Sequence, residues 1–328
     1  MEPLRYTRAR DLEHALQAGA EGGRFIAGGT TLVDLMKLGV EQPGHVVDIN
    51  DLPLDRIEPL PGGGLRIGAL ARNADLARHP AVRRDYAALA QALESGASPQ
   101  LRNMATTGGN LMQRTRCGYF RDVAMPCNKR EPGSGCAALA GHHRMLAVLG
   151  TSEHCIASHP SDMSVALAAL DARVGIAGRQ GERQVPVAGF FLLPGDTPQR
   201  ETVLQQGELI THVELPPPPP GSRSVYVKLR DRASYEFALA SAAVCLSLEH
   251  GTVGHLRVAL GGVGTRPWRA HETEQALAGQ APDEARLAAA ARAALREARP
   301  LAGNAFKVEL ARRCIAHALR LTAAAAES

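Results

Sequence analysis

Residues 25–34 read Phe25-Ile26-Ala27-Gly28-Gly29-Thr30-Thr31-Leu32-Val33-Asp34, an apolar run, a paired-glycine turn and the opening of a helix. The pattern predicts a short strand over 24–27 and a helix over 31–38, stopped by Gly39. Glycines let the backbone come close to a ligand, and the free N–H groups and dipole of a helix start attract an anion such as a pyrophosphate. Thr31 with Asp34 three residues later fits a capping box. The same segment also suits a tight turn into a well-capped helix with no ligand.

A second paired-glycine turn stands at Ala105-Thr106-Thr107-Gly108-Gly109-Asn110-Leu111. Two such turns, each joining glycines to threonine hydroxyls, suit a ligand whose two phosphates are gripped from both sides. Neither is a Rossmann fingerprint, because G-x-G-x-x-G is missing. The near match Gly133-Ser134-Gly135 follows Lys-Arg-Glu-Pro and not a strand. There is no Walker A loop, G-x-S-x-G elbow or H-E-x-x-H pair. Their absence fits a protein in which bound cofactors carry the chemistry and the chain supplies binding and orientation.

Outward from these turns, Asp11 caps an expected helix over 12–18, and strands are expected over 45–49 and 64–70. Helices follow over 74–79, 81–94 and 163–169, with a hairpin over 173–187 around Gly-Arg-Gln-Gly. Five consecutive prolines at 216–220 fit neither a helix nor a central strand and favour stiff polyproline, so they mark a domain boundary. Beyond them, strands are expected over 225–229, 243–249 and 255–260, and helices over 283–298 and 306–323.

At roughly 100 to 200 residues per domain, 328 residues predict two or three domains. Apolar residues at 45% and charged residues at 21% exclude wholesale disorder and a membrane bundle. The longest near-apolar stretch, 237–248, is too short to span a bilayer. The net charge of +4 comes from scattered basic residues, and aromatic side chains are few, which argues against a nucleic-acid partner. The first residues lack a positive segment followed by an apolar one, so no signal of the chain's own is expected. The expected location is the cytoplasm, or the periplasm by co-export with a signal-bearing partner.

Three segments in order, Ala27-Gly28-Gly29-Thr30-Thr31-Leu32, Leu101-Arg102-Asn103-Met104-Ala105-Thr106-Thr107-Gly108-Gly109-Asn110, and His159-Pro160-Ser161-Asp162-Met163, resemble the FAD-binding subunit of the molybdenum hydroxylases. That family includes xanthine dehydrogenase, the medium subunit of aerobic carbon monoxide dehydrogenase and bacterial aldehyde oxidoreductases. After the proline run, Lys228-Leu229-Arg230-Asp231-Arg232-Ala233 is similar to the family's C-terminal flavoprotein domain, so the likeness covers essentially the whole chain.

The resemblance implies an α+β protein. A vanillyl-alcohol-oxidase-type (PCMH) FAD-binding fold in two subdomains, 1–55 and 56–215, would precede a CO-dehydrogenase-flavoprotein-like α+β domain over 221–328. It implies that Ala27, Gly28, Gly29, Thr30, Thr31, Leu32 and Val33 hold the pyrophosphate and ribityl chain of a non-covalent FAD. Thr106, Gly109 and Asn110 would touch the diphosphate and flavin chain, Asp162 would lie near the flavin, and Lys228 beside the isoalloxazine. Leu209 or Ile210 would pack on the ring. Asp162 also suits an N-cap for the helix over 163–169, and Lys228 also suits a solvated strand.

Between Asn110 and Asp162 the chain carries an insert, 111–160, that shorter family members lack. Cys117, Cys127, Cys136 and Cys155 fall in it with the spacing C-x9-C-x8-C-x18-C. Thiolates are soft donors suited to zinc or an iron–sulfur cluster. Zinc ribbons use tight C-x2-C knuckles, absent here, whereas wide spacing suits a cubane reached from separate segments. Arg114, Arg116, Arg121, Lys129 and Arg130 would balance its charge. The insert resembles that of the flavin subunit of periplasmic aromatic aldehyde oxidoreductases, which carries a 4Fe-4S cluster, and a similar one occurs in 4-hydroxybenzoyl-CoA reductase. Zinc and disulfides stay open, as does substitution of one ligand by His142, His143, His154 or His159. Cys245 and Cys314 sit in apolar contexts and are expected to be core thiols.

The function implied is an FAD and iron–sulfur electron-transfer subunit of a molybdenum-containing aldehyde oxidoreductase. Its partners would be a large molybdenum-cofactor subunit and a small 2Fe-2S subunit, with no nucleic acid and no membrane insertion. The alternatives are a flavin subunit of an aryl-CoA reductase or xanthine dehydrogenase, and a zinc-stapled scaffold without redox work.

Overall fold

The computed structural model describes residues 3–327. Residues 1, 2 and 328, where the first and last expected domains end and where part of the signal expectation falls, lie outside the described residues. Three sheets organise the chain. The first is parallel, with His45–Asp48 between Arg5–Arg8 and Arg24–Ile26. The helix Leu12–Ala20 forms the crossover, opened by Asp11, whose carboxylate accepts from the His14 N–H at 2.8 Å.

The second sheet has five strands in the order Ile57–Pro59, Leu65–Gly68, Leu209–Leu215, Arg173–Gly178, Gly181–Pro186. Its middle strand was not expected from the sequence. Leu209–Leu215 pairs with Leu65–Gly68 on one side and Arg173–Gly178 on the other, so Ile210 belongs to a buried central strand. The helices Ala87–Ser95 and Asp162–Ala169 belong to the apolar core that this sheet shares. Ser161, not Asp162, caps the latter, accepting from the Ser164 N–H at 3.0 Å.

Past the prolines, an antiparallel sheet runs Trp268–Arg269, Thr252–Gly261, Ala240–Glu249, Arg223–Leu229. Its two long strands meet at His250 and Gly251, both at positive φ, which gives a two-residue turn whose twist matches the strands. The helices Glu284–Ala293 and Phe306–Glu327 cover one face. The helix expected over 283–298 is shorter than its alanine run suggested, and His271–Leu277 is a helix the sequence reading missed. Among the described residues no helix is long and apolar enough to cross a membrane.

Candidate functional site

The two glycine turns abut. A Cβ on Gly28 would lie 1.9 Å from the Met104 carbonyl oxygen, so only glycine lets residues 27–32 pack on the second turn. Gly29 has φ +69°, which favours glycine. A bridge fixes the two turns to each other. Asn50 Nδ2 donates to the Ala27 carbonyl at 3.0 Å, Arg72 Nη2 donates to Asn50 Oδ1 at 3.1 Å, and Arg72 Nη1 donates to the Met104 carbonyl. Neither Asn50 nor Arg72 carried a motif by which sequence reasoning could have found it.

Among the described residues, the N–H groups of Gly28 through Leu32 have no protein acceptor, the first loop bond being Val33 N–H to Gly29 O at 3.0 Å. The expected capping box does not form. Thr31 makes no side-chain cap, and Asp34 turns to Arg116 and Arg121 of the insert instead. In the second turn, Thr106 caps Thr107–Leu111 through the Gly109 N–H at 3.2 Å. Gly108 sits against Ala69, to whose carbonyl its N–H donates at 2.8 Å.

A cleft of about 740 Å³ opens over these turns. Ala27, Gly28, Gly29, Thr30, Thr31, Leu32, Thr106, Gly109 and Ile210 all line it. Val33 and Asn110 are next to it and outside its lining, Asn110 accepting through Oδ1 from Ser161 Oγ at 2.7 Å. The cradle, the unpaired N–H groups of Gly28 to Leu32 and the volume of the cleft fit an extended anionic dinucleotide such as FAD. The wall also holds Glu41, Arg114, Lys129, Glu201 and Phe191, none of which the sequence reading assigned to FAD. Arg114 bridges Glu41 at 2.6 Å and Glu201 at 3.2 Å, and Lys129 reaches Glu201 at 2.8 Å. Burial alone would raise the Glu201 carboxyl, but Lys129 and Arg114 hold it below its ordinary value.

A second cavity of about 590 Å³ shares Ser158, His159 and Pro160 with the first. Asp162 lines it, whereas Lys228 and Asp162 are joined at 2.7 Å with the lysine side chain only 3% exposed. Lys228 is therefore not a solvated strand residue. Its ammonium also donates to the Ser95 carbonyl at 3.1 Å, and the Tyr226 hydroxyl donates to Asp162. Burial holds His159 neutral by pushing its pKa down to about 3. Its Nδ1 accepts from the Ser161 N–H and its ring meets Phe191 edge-on.

In the insert, Cys117, Cys127 and Cys155 are buried with Leu35 and Phe120 in one apolar cluster, and Cys136 packs against it. Cys127 and Cys136 face each other across an isolated bridge, and Cys155 lines the 740 Å³ cleft. All six thiols are free. Burial pushes Cys117 up to about 11 and raises Cys155 as well. Among the described residues no group of three or more His, Cys, Asp or Glu is placed to hold a metal ion. The basic residues expected to balance a cluster are already committed. Arg114, Arg116, Arg121 and Lys129 pair with carboxylates, and Arg130 donates to the Tyr119 and Phe120 carbonyls.

Two family models match the chain: the FAD binding domain in molybdopterin dehydrogenase over residues 2–218, and the CO dehydrogenase flavoprotein C-terminal domain over 225–322. The aldehyde oxidoreductase FAD-binding subunit PaoB of Escherichia coli is 52% identical over 97% of this chain and 98% of its own. The carbon monoxide dehydrogenase medium chain of Hydrogenophaga pseudoflava is 29% identical over 92% of this chain and 90% of its own. A solved carbon monoxide dehydrogenase from Hydrogenophaga pseudoflava, lacking the Mo-pyranopterin moiety of its molybdenum cofactor, matches with TM-score 0.78 at 26% identity, over 99% of this chain and 98% of that one. The chain belongs to the molybdopterin dehydrogenase FAD-binding family, as the resemblance of its glycine turns implied.

Proposed function

We propose that this chain is the FAD-carrying electron-transfer subunit of a molybdenum-containing aldehyde oxidoreductase. Its partners in this reading are a large subunit with the molybdenum cofactor and a small 2Fe-2S subunit. The observation that carries the reading is the pair of glycine turns, tied by Asn50 and Arg72, that line one cleft, the first of them with the N–H groups of Gly28 to Leu32 unpaired. When bound, FAD supplies the junction at which electrons from the partner's iron–sulfur centres leave for an external acceptor.

Residues Ala27–Val33 form the loop that holds the diphosphate, through the N–H groups of Gly28 to Leu32, with Thr106, Gly109 and Asn110 opposite. Ile210 gives an apolar floor. Asp162 and Lys228, a neutralised pair, shape the far end toward the second cavity. The division that suits these roles is 1–55, 56–215 with the insert at 111–160, and 221–328. We assign Cys117, Cys127, Cys136 and Cys155 to a 4Fe-4S cluster, supported by four free thiols in and against one apolar cluster. Zinc would require four ligands converging about 2.3 Å from one ion. The site of action is the cytoplasm, or the periplasm if a signal-bearing partner carries the assembly out.

The test is purification with co-purifying subunits, followed by flavin and metal analysis. Equimolar FAD released intact on denaturation, with about four iron and four sulfide per chain, is expected. A colourless protein with stoichiometric zinc would refute the reading and leave a stapled scaffold.

A further inference from the structure

The helix Leu32–Lys37, which leaves the glycine loop, runs onto the cysteine insert. Six residues are too few for a helix to hold its shape alone, isolated helices being marginal below about 12 residues. What fixes it is the insert. Leu35 is 2% exposed and packs in the cluster that contains Cys117, Cys127, Cys155 and Phe120. Arg121 forks onto Asp34, with Nη1 2.8 Å from Oδ2 and Nη2 3.1 Å from Oδ1, and Arg116 adds a contact at 3.2 Å. Past the helix, Glu41 takes Arg114 Nη1 at 2.6 Å, and the Arg114 guanidinium lies 4.6 Å from the Phe120 ring centre.

Resting on the readings of residues 27–33 as the FAD loop and of the four insert thiols as a cluster site, we propose that the cysteine insert positions that loop. Arg114, Arg116 and Arg121 clamp the helix behind it, so occupancy of the four thiols sets how tightly FAD is held. Donors fixed before the ligand arrives bind it with less loss of freedom. Loosening the clamp or the thiol core leaves the unpaired N–H groups of Gly28 to Leu32 unaligned. Arg114, Arg116 and Arg121 are positioning residues in this proposal.

The test uses the full chain stripped of flavin and titrated with FAD, iron being assayed alongside. Arg116→Gln with Arg121→Gln is expected to weaken FAD binding by about ten-fold and to speed its release. Iron content and thermal midpoint stay unchanged, and the lysine pair Arg116→Lys with Arg121→Lys recovers most of the loss. Asp34→Asn opens the same contacts from the other side and is expected to match. Removing the metal by chelation is expected to weaken FAD equally, with recovery on reconstitution. FAD affinity indifferent to both the glutamine pair and Asp34→Asn overturns the clamp, and indifference to metal removal overturns the coupling. A wild-type chain that takes up no FAD overturns the loop reading itself, which the variants by themselves do not.

Discussion

The Lys228 ammonium and the Asp162 carboxylate form an ion pair at 2.7 Å, with side chains 3% and 9% exposed. Two charges taken from water this completely stabilise little as a pair, but removing one strands the other. Lys228→Met is therefore expected to lose about 3 to 5 kcal/mol of stability, besides any effect on the flavin. Lys228→Met with Asp162→Asn should recover part of that loss. Denaturant unfolding of the two variants decides, equal losses in both showing that the pair is not coupled.

Gly28 and Gly29 answer different questions. Any side chain on Gly28 meets the Met104 carbonyl, so Gly28→Ala should damage the joint between the turns and lower stability and FAD content together. Gly29 needs a left-handed backbone, which asparagine tolerates, and a Cβ there would press on the Val33 side chain at 3.2 Å, a contact that a small shift of that side chain relieves. Gly29→Asn should unfold within about 1 kcal/mol of the parent, asparagine being among the residues that visit this region, while binding FAD more weakly. A Gly29→Asn protein with full FAD affinity would clear that position of the diphosphate.

The glycine turns were legible because the close approach at Gly28 and the positive φ at Gly29 are matters of local backbone chemistry, which ten residues display. What stayed hidden is non-local. Leu209–Leu215 abuts the prolines, and its partners lie far off in the chain, Leu65 pairing with Leu215 and Arg173 with Glu214. Nothing within the segment marks it as a central strand. Asp34 sits where a capping box wants a carboxylate, yet a forked arginine at 87 residues' separation outcompetes a backbone N–H for it. The thiols were found as a cluster by composition, but only packing shows that Leu35 joins them.

Metal loading of the insert should depend on acidity. Thiols bind metal only after losing a proton, and burial pushes Cys117 up to about 11. Cluster retention during chelator challenge should fall as pH drops, and Cys117→Ser, Cys127→Ser, Cys136→Ser or Cys155→Ser should each lower iron. Cys245→Ser and Cys314→Ser should leave iron unchanged, since both thiols lie apart from that cluster, in the two large apolar cores. Iron loss in either of those two variants would contradict the assignment.

Lys307, which the sequence reading passed over, is fully buried and ties the C-terminal helix to the insert and to the sheet domain. Its Nζ donates to the Gly262 carbonyl at 2.6 Å and to the Leu146 carbonyl at 3.0 Å. Burial, with Arg144 adding repulsion, pushes its pKa down to about 7, against about 10.4 for an unfolded lysine. Between those values the unfolded chain holds a proton that the folded chain has released. Raising the pH through that window therefore favours the folded state, and below about 7 both states carry the charge and the gain is gone. Unfolding free energies measured by urea titration should rise from pH 7 to pH 9.5 more steeply in the parent than in Lys307→Met, in which this titration is absent. Parallel pH profiles for the two proteins would show that Lys307 keeps its proton when folded.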